Sequence, residues 1–358
     1  LTSLDVEAAA AGALTIGSDT SGLNVEFKAN VVGATTIDHT SATATADELT
    51  IDFDLGAAAT LGGTLTVTDY ETVTLVIPDG ALTSAGAGIT LTPTTGGTAK
   101  LVVTGDSSLI MAGADVITAD SIDATGIVMA NTTDVGLTMT TETAEAASVG
   151  VTLKGTNAVD VLFGSGAADV ITAGTGADTV HGLGGQDNIT LGGGADDYVV
   201  AVATTVANVS ASRDLVNDFV AGDAGDAIDY NGATAGVTQL TGTAAATVGT
   251  YIQTVAAQSA ALTVDGLAGV VNITATDVTT FSTNGASVLD ALVAGTASGT
   301  ITMTSSGDIA LFMISNGTDS ALYLGDSDGN AALAAGEMGL IATFTGVDNA
   351  DITIANFM

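Results

Sequence analysis

Broken every nine residues, 155–199 reads GTNAVDVLF GSGAADVIT AGTGADTVH GLGGQDNIT LGGGADDYV, and this stretch decides the fold. Asp160, Asp169, Asp178, Asp187 and Asp196 recur at a spacing of nine without slippage. Two residues after each stands a large apolar side chain: Leu162, Ile171, Val180, Ile189 and Tyr198. Gly-rich hexads lead into the aspartates, as in Gly164-Ser165-Gly166-Ala167-Ala168-Asp169 and Gly182-Leu183-Gly184-Gly185-Gln186-Asp187. A six-residue turn needs positive φ and close approach of backbone carbonyls, which glycine supplies without steric cost. Three residues of strand then carry one inward apolar side chain. Two nonapeptides complete a coil of eighteen residues, so alternate repeats stack on the same edge. Asp160, Asp178 and Asp196 are expected along one edge, and Asp169 and Asp187 along the other.

Carboxylates stacked at the strand spacing of about 4.8 Å repel strongly if nothing sits between them. A Ca²⁺ ion between successive turns removes that repulsion, taking six to eight oxygens at about 2.3–2.6 Å from Asp side chains and turn carbonyls. The candidate turn positions are Gly164, Gly166, Gly174, Gly176, Gly182, Gly184, Gly192 and Gly194. The nonapeptide is an established calcium-binding signature. On these residues the stretch resembles the RTX (repeats-in-toxin) family. Thr156, Ala158, Ala173 and Leu191 stand where that family has glycine, which weakens the outermost sites.

The resemblance extends beyond the repeats. Arg213-Asp214-Leu215-Val216-Asn217-Asp218-Phe219, with Gly222-Asp223 and Ile228-Asp229, is similar to the segment that follows the β-roll in type I-secreted RTX proteins. It adds Asp218 and Asp223 to the candidate metal ligands. Ala321-Leu322-Tyr323-Leu324, Phe344-Thr345-Gly346-Val347 and Asn356-Phe357-Met358 resemble their C-terminal secretion regions. Tyr70-Glu71-Thr72-Val73-Thr74-Leu75, within a Thr/Ala-rich β pattern, is similar to alphaproteobacterial S-layer proteins. The resemblance implies export through an ABC-transporter channel and folding outside the cell, where calcium is abundant.

Working outward, residues 1–154 alternate apolar and polar side chains in short bursts. Leu49-Thr50-Ile51-Asp52-Phe53, Leu65-Thr66-Val67-Thr68, Thr72 to Ile77 and Lys100-Leu101-Val102-Val103-Thr104 each read as a strand. Ala114-Asp115-Val116-Ile117-Thr118-Ala119 recurs verbatim at Ala168 to Ala173, which suggests that one solenoid runs on into the repeats. The expected fold is all-β: a parallel β-roll or β-solenoid with a β-rich N-terminal part and a mixed β C-terminal region. Its parts are 1–154, the calcium-binding roll with its capping segment at 155–230, and 231–358 with the secretion signal. A short helix is expected at Ala286 to Ala294, ended by Gly295. Asp326-Ser327-Asp328-Gly329-Asn330 with Glu337 matches ligand positions of an EF-hand loop, making Asp326, Asp328, Asn330 and Glu337 a second candidate site. Ala331 replaces the turn glycine of that motif, and the flanks read as a strand before it and a short helix after.

Composition narrows the function. Forty acidic residues face four basic ones, for a net charge of −36 over 358 residues. Nucleic acid and anionic membranes need clusters of Lys and Arg, so the natural partners are cations. The absence of cysteine excludes disulfides and thiolate metal sites. No segment has the uniform apolarity of a membrane helix, and no charged-then-apolar leader precedes the strands. His39 and His181 are the sole histidines, too far apart for the zinc-protease signature. Gly325-Asp326-Ser327-Asp328-Gly329 fits a nucleophile elbow, but its carboxylates suit a cation better than a hydrolase.

The expectation is a non-enzymatic, secreted structural protein: an S-layer subunit whose folding and self-assembly are driven by Ca²⁺. Its expected partners are copies of itself in an extracellular lattice and the type I secretion apparatus. An anchor to cell-surface polysaccharide would belong to sequence ahead of Leu1. The alternatives are the distal part of an RTX adhesin, or the non-catalytic, secretion-directing half of an exported protease or lipase.

Overall fold

The computed structural model describes residues 2–8, 12–40, 46–86, 88–140, 149–200, 213–222 and 224–229. Further on it describes 252–256, 262–264, 270–274, 281, 285–286, 301–303, 309–326, 333–334, 336–348, 351–352 and 356–357. The chain divides into two compact units, one of residues 1–181 with 192–194 and one of 182–191 with 195–358.

The first unit is a solenoid of parallel strands. One face is built from Ser3–Val6, Leu23–Phe27, Glu48–Asp52, Thr72–Ile77, Lys100–Gly105, Ser121–Ile127, Thr152–Lys154 and Val170–Thr175, each beside the next. The period-two pattern explains it. In Thr72–Ile77 the side chains of Val73, Leu75 and Ile77 are buried, while those of Thr72, Thr74 and Val76 are half-exposed. Threonine and β-branched residues fit such a pleated, half-buried surface. Register then stacks like upon like: Leu23, Leu49, Val73, Leu101, Ile122, Leu153 and Ile171 form one ladder, each at most 1% exposed. Burying one such side chain fully contributes about 1.5–3 kcal/mol.

The coil changes shape along this unit. A second face consists of Ala59–Leu61, Leu82–Ser84, Leu109–Ile110, Val135–Thr138, Val159–Phe163 and Thr179–His181. A third, of Leu14–Ser18, Thr35–His39, Leu65–Thr68, Ile89–Thr92 and Ile117–Thr118, stops there. Early coils therefore have three faces and the later ones two. Leu49 pairs with Val73, 24 residues on, whereas Leu153 pairs with Ile171, 18 residues on. A coil of 18 residues has room for two strands and two six-residue turns, not for three strands. The hexapeptide echo spans this change: Asp115 and Asp169, Ile117 and Ile171, and Ala119 and Ala173 are all buried, though on different faces. Ser121–Ile127, Thr152–Lys154 and Val170–Thr175 are consecutive neighbours, so the solenoid runs on into the repeats.

In the second unit, Asp214–Val216 lies parallel to Asn188 and Ile189 on one side and to Met338–Phe344 on the other. Met338–Phe344, Ser320–Asp326 and Ile309–Ser315 then form an antiparallel meander, followed in parallel by Val270–Thr274 and Ile252–Ala256. Asp197–Val199 pairs with Ala227–Asp229. The core is aromatic: Phe344 meets Tyr198 edge-on at 6.0 Å and Phe219 at 5.1 Å between ring centroids. The segment after Glu337 is the strand Met338–Phe344 and not the expected short helix. Its Leu340, Ile341, Ala342 and Phe344 are buried on both faces, as an interior strand between two partners requires. The helix expected over 286–294 lies outside the described residues except for Ala286.

Candidate metal centre

Side chains two apart on a strand share a face, so an aspartate two residues before a core side chain sits where turn becomes strand. All five repeat aspartates are at most 2% exposed, and Leu162, Ile171, Val180, Ile189 and Tyr198 are fully buried. In the first unit each aspartate reaches back one coil. Asp160 Oδ1 accepts the backbone N–H of Leu137 at 2.5 Å, Asp169 Oδ1 that of Val151 at 2.7 Å and Asp178 Oδ1 that of Asp160 at 2.8 Å.

The second unit repeats the device with other residues. Asp214 Oδ1 accepts from Asp187 N–H at 3.1 Å, Asp218 Oδ1 from Leu191 N–H at 2.7 Å and Asp226 Oδ1 from Asp196 N–H at 3.0 Å. Sequence reasoning missed Asp214 and Asp226. Their signal is the triplet acid-x-apolar, Asp214-Leu215-Val216 and Asp226-Ala227-Ile228, which buries Val216 and Ile228 without a glycine hexad. Earlier coils use it too: Glu71, before Thr72-Val73, accepts the N–H of Asp47 at 2.8 Å, and Asp120, before Ser121-Ile122, that of Ala99 at 2.6 Å.

The remaining oxygen divides the repeats into two classes. Thr156 donates its N–H to Asp160 Oδ2 at 2.6 Å and directs its hydroxyl to both carboxylate oxygens, at 3.0 and 3.1 Å. Ser165 donates its N–H to Asp169 Oδ2 at 2.6 Å and its hydroxyl to Oδ1 at 2.7 Å. In the later repeats the residue four before the aspartate is Gly174, Leu183 or Gly192, with φ of 124°, 70° and 101°. There Oδ2 of Asp178, Asp187 and Asp196 is buried and takes no hydrogen bond. The glycines pack onto carbonyls: a Cβ on Gly174 would lie 2.0 Å from the Thr156 oxygen, and one on Gly192 1.9 Å from the Gly174 oxygen.

Calcium takes oxygen ligands from carboxylates and backbone carbonyls. Buried carboxylate oxygens without a hydrogen bond, beside turns that stack carbonyl on glycine, fit it. Among the described residues no three Asp, Glu or His side chains converge, so turn carbonyls must supply much of the ion's shell.

The other sequence candidates scatter. Gly164 is buried and donates its N–H to the His181 carbonyl at 2.8 Å; Gly176, at φ 148°, donates to that of Gly193 at 2.9 Å. A Cβ on Gly182 would stand 2.5 Å from Asp187 Oδ2. Gly166 and Gly194 are exposed and Gly184 half-buried. Asp326 ends its strand, Asp223, Asp328 and Asn330 lie outside the described residues, and Glu337 Oε2 accepts the N–H of Ala334 in its own turn at 2.7 Å. His181 stacks on Phe163 at 3.9 Å between centroids, as a strand residue half-open to solvent.

Leu183 carries a left-handed backbone that costs a branched residue about 1–2 kcal/mol. Leu183→Gly should relieve it, offset in part by glycine's entropy, for a net gain of about 0.5–1 kcal/mol. A rise in the denaturant midpoint at unchanged slope would register it.

Burial sets the electrostatics. It pushes the Asp160 carboxyl up from 3.8 to about 6, against the hydrogen bonds from Thr156 and Leu137, and it raises Asp169 and Asp226 as well. Burial would also raise Glu71, but hydrogen bonds from Thr94 and the Asp47 N–H hold it below its usual value. A carboxyl raised in the fold binds more protons folded than unfolded. Its contribution to stability is present below the unfolded value near 3.8 and is lost as pH rises through about 6. Calcium-depleted protein should therefore melt at its highest temperature near pH 4 and progressively lower up to pH ~6.5. A melting series in metal-free buffers reads this; a midpoint that rises with pH over that interval would contradict it.

A family model described as the RTX calcium-binding nonapeptide repeat (4 copies) matches residues 154–189 and again 163–198. No curated protein matches the chain. The match falls on the five aspartates and their turns, and these repeats bind Ca²⁺.

Proposed function

We propose that the chain is a secreted structural protein, an S-layer subunit whose folding and self-assembly outside the cell are driven by Ca²⁺, with no catalytic role. Asp178, Asp187 and Asp196, with carbonyls of the glycine turns, hold the ions. The observation that carries this reading is the set of buried Oδ2 atoms on those three residues, beside stacked turns. A carboxylate kept out of water in that way costs several kcal/mol until a cation joins it. Calcium is scarce inside cells and abundant outside, so such a chain folds after export, which suits the type I secretion route. The net charge of −36 keeps copies apart until divalent cations bridge acidic faces, which suits assembly into a lattice.

Electron microscopy of purified protein in about 1–10 mM Ca²⁺, and then in chelator, tests it. Ordered sheets that form with calcium and disperse without it support the lattice. Protein that gains β-structure with calcium yet stays monomeric overturns the lattice, in favour of an adhesin segment or the secretion-directing half of an exported enzyme.

A further inference from the structure

We propose that the calcium requirement of the roll begins at its third repeat, because in the first two the hydroxyls of Thr156 and Ser165 hold the corner carboxylate where an ion holds the later ones. This rests on calcium binding by the repeats and not on the lattice reading.

Two independent features separate the classes. The first is a side-chain motif present twice. In each early repeat a residue four before the aspartate donates both its N–H and its hydroxyl to the carboxylate. The same hydroxyl oxygen accepts the N–H two residues on, from Ala158 at 3.0 Å and from Ala167 at 3.1 Å. The carboxylate, the hydroxyl and the turn thus close on one another with protein donors. The second feature is backbone. Gly174, Leu183 and Gly192, at the equivalent place, all have positive φ, whereas Thr156 and Ser165 do not. Left-handed backbone there orients the turn's peptide units differently from those at Thr156 and Ser165.

The hydroxyl clamp also belongs to coils that contain no glycine–aspartate repeat. Thr94 gives its hydroxyl and N–H to Glu71, and Ser84 gives its hydroxyl to Asp115 at 2.5 Å. The first two nonapeptides therefore solve the buried-acid problem as the preceding solenoid does. Thr156 stands where the repeat signature has glycine, which makes that departure a replacement for an ion.

Equilibrium dialysis with Ca²⁺, together with thermal melts in calcium and in chelator, tests this on the full chain and on Asp160→Asn, Asp178→Asn and Thr156→Val. Asp160→Asn should bind as many ions as the parent, with affinity within about twofold, whereas Asp178→Asn should lose an ion or about tenfold in affinity. Thr156→Val should keep the ion count and lower the melting temperature by about 2–4 °C equally in calcium and in chelator. If Asp160→Asn does not fold, Thr156→Val decides: an unchanged count upholds the clamp and a lost ion overturns it. Equal loss of calcium from Asp160→Asn and Asp178→Asn overturns this proposal alone. A parent chain that binds no calcium overturns the calcium reading as well.

Discussion

Chelating Ca²⁺ should cost residues 174–199 their structure while the coils before Gly155 keep theirs. The core explains the contrast. Thr72–Ile77 buries three large apolar side chains, Val73, Leu75 and Ile77, whereas Thr179–His181 buries one, Val180, and Asn188–Gly193 two, Ile189 and Leu191. At about 1.5–3 kcal/mol per buried side chain, the early strand outweighs these repeat strands by roughly 1.5- to threefold before any ion is counted. Three sites held tenfold above their dissociation constants contribute roughly 4 kcal/mol together, comparable to the 5–15 kcal/mol net stability of a whole domain. Removing the ions also leaves the buried Oδ2 atoms of Asp178, Asp187 and Asp196 without a hydrogen bond. Hydrogen exchange is the measurement, because it locates the loss. Amides of 174–199 should exchange within minutes in chelator while those of Leu23–Phe27, Thr72–Ile77 and Lys100–Gly105 stay protected. Uniform protection would show that calcium does not hold the roll, and uniform loss that the early coils depend on it too.

Much of this was legible from residues alone, for a physical reason. In a parallel solenoid the side chain that stacks on its like is also the one that alternates along its strand, so one pattern encodes both strand and core. Leu65–Thr68 and Thr72–Ile77 are read from sequence with the bounds they have in the structure. The aspartate spacing likewise encodes coil length, since Asp160 and Asp178 meet across the 18 residues that pair Val161 with Thr179. The change from three faces to two at Ile117–Thr118 was not legible, because coils of 24 and 28 residues share no fixed spacing. Asp214 and Asp226 are not legible from the glycine hexad, because their corners carry only the acid-x-apolar triplet. The sequence also cannot distinguish an aspartate held by a hydroxyl from one that awaits an ion. That depends on what the residue four positions earlier donates, and Thr156 looks like a lapse from the repeat until its hydroxyl is seen on Asp160.

Gly174→Ala and Gly192→Ala should each cost the fold about 3–5 kcal/mol, far more than an alanine in an ordinary turn. Two effects add. Both glycines have positive φ, at 124° and 101°, where a Cβ is strained by about 1–3 kcal/mol. A Cβ would also stand 2.0 Å from the Thr156 oxygen in one case and 1.9 Å from the Gly174 oxygen in the other. Neither oxygen belongs to a side chain that can rotate aside, so the coils must separate, and with them the carbonyls that would face an ion. Gly113→Ala isolates the first effect: its φ is 70° and nothing lies within 4 Å of the added carbon, so about 1 kcal/mol is expected. Denaturant melts of the three variants in calcium, with the dissociation constant measured on each, separate the contributions. Both repeat variants should also lose calcium affinity, whereas Gly113→Ala should keep it. If Gly174→Ala melted beside Gly113→Ala with affinity unchanged, the coils could not be stacked as closely as the carbonyl positions require. Calcium would then be held by carboxylates without the turns.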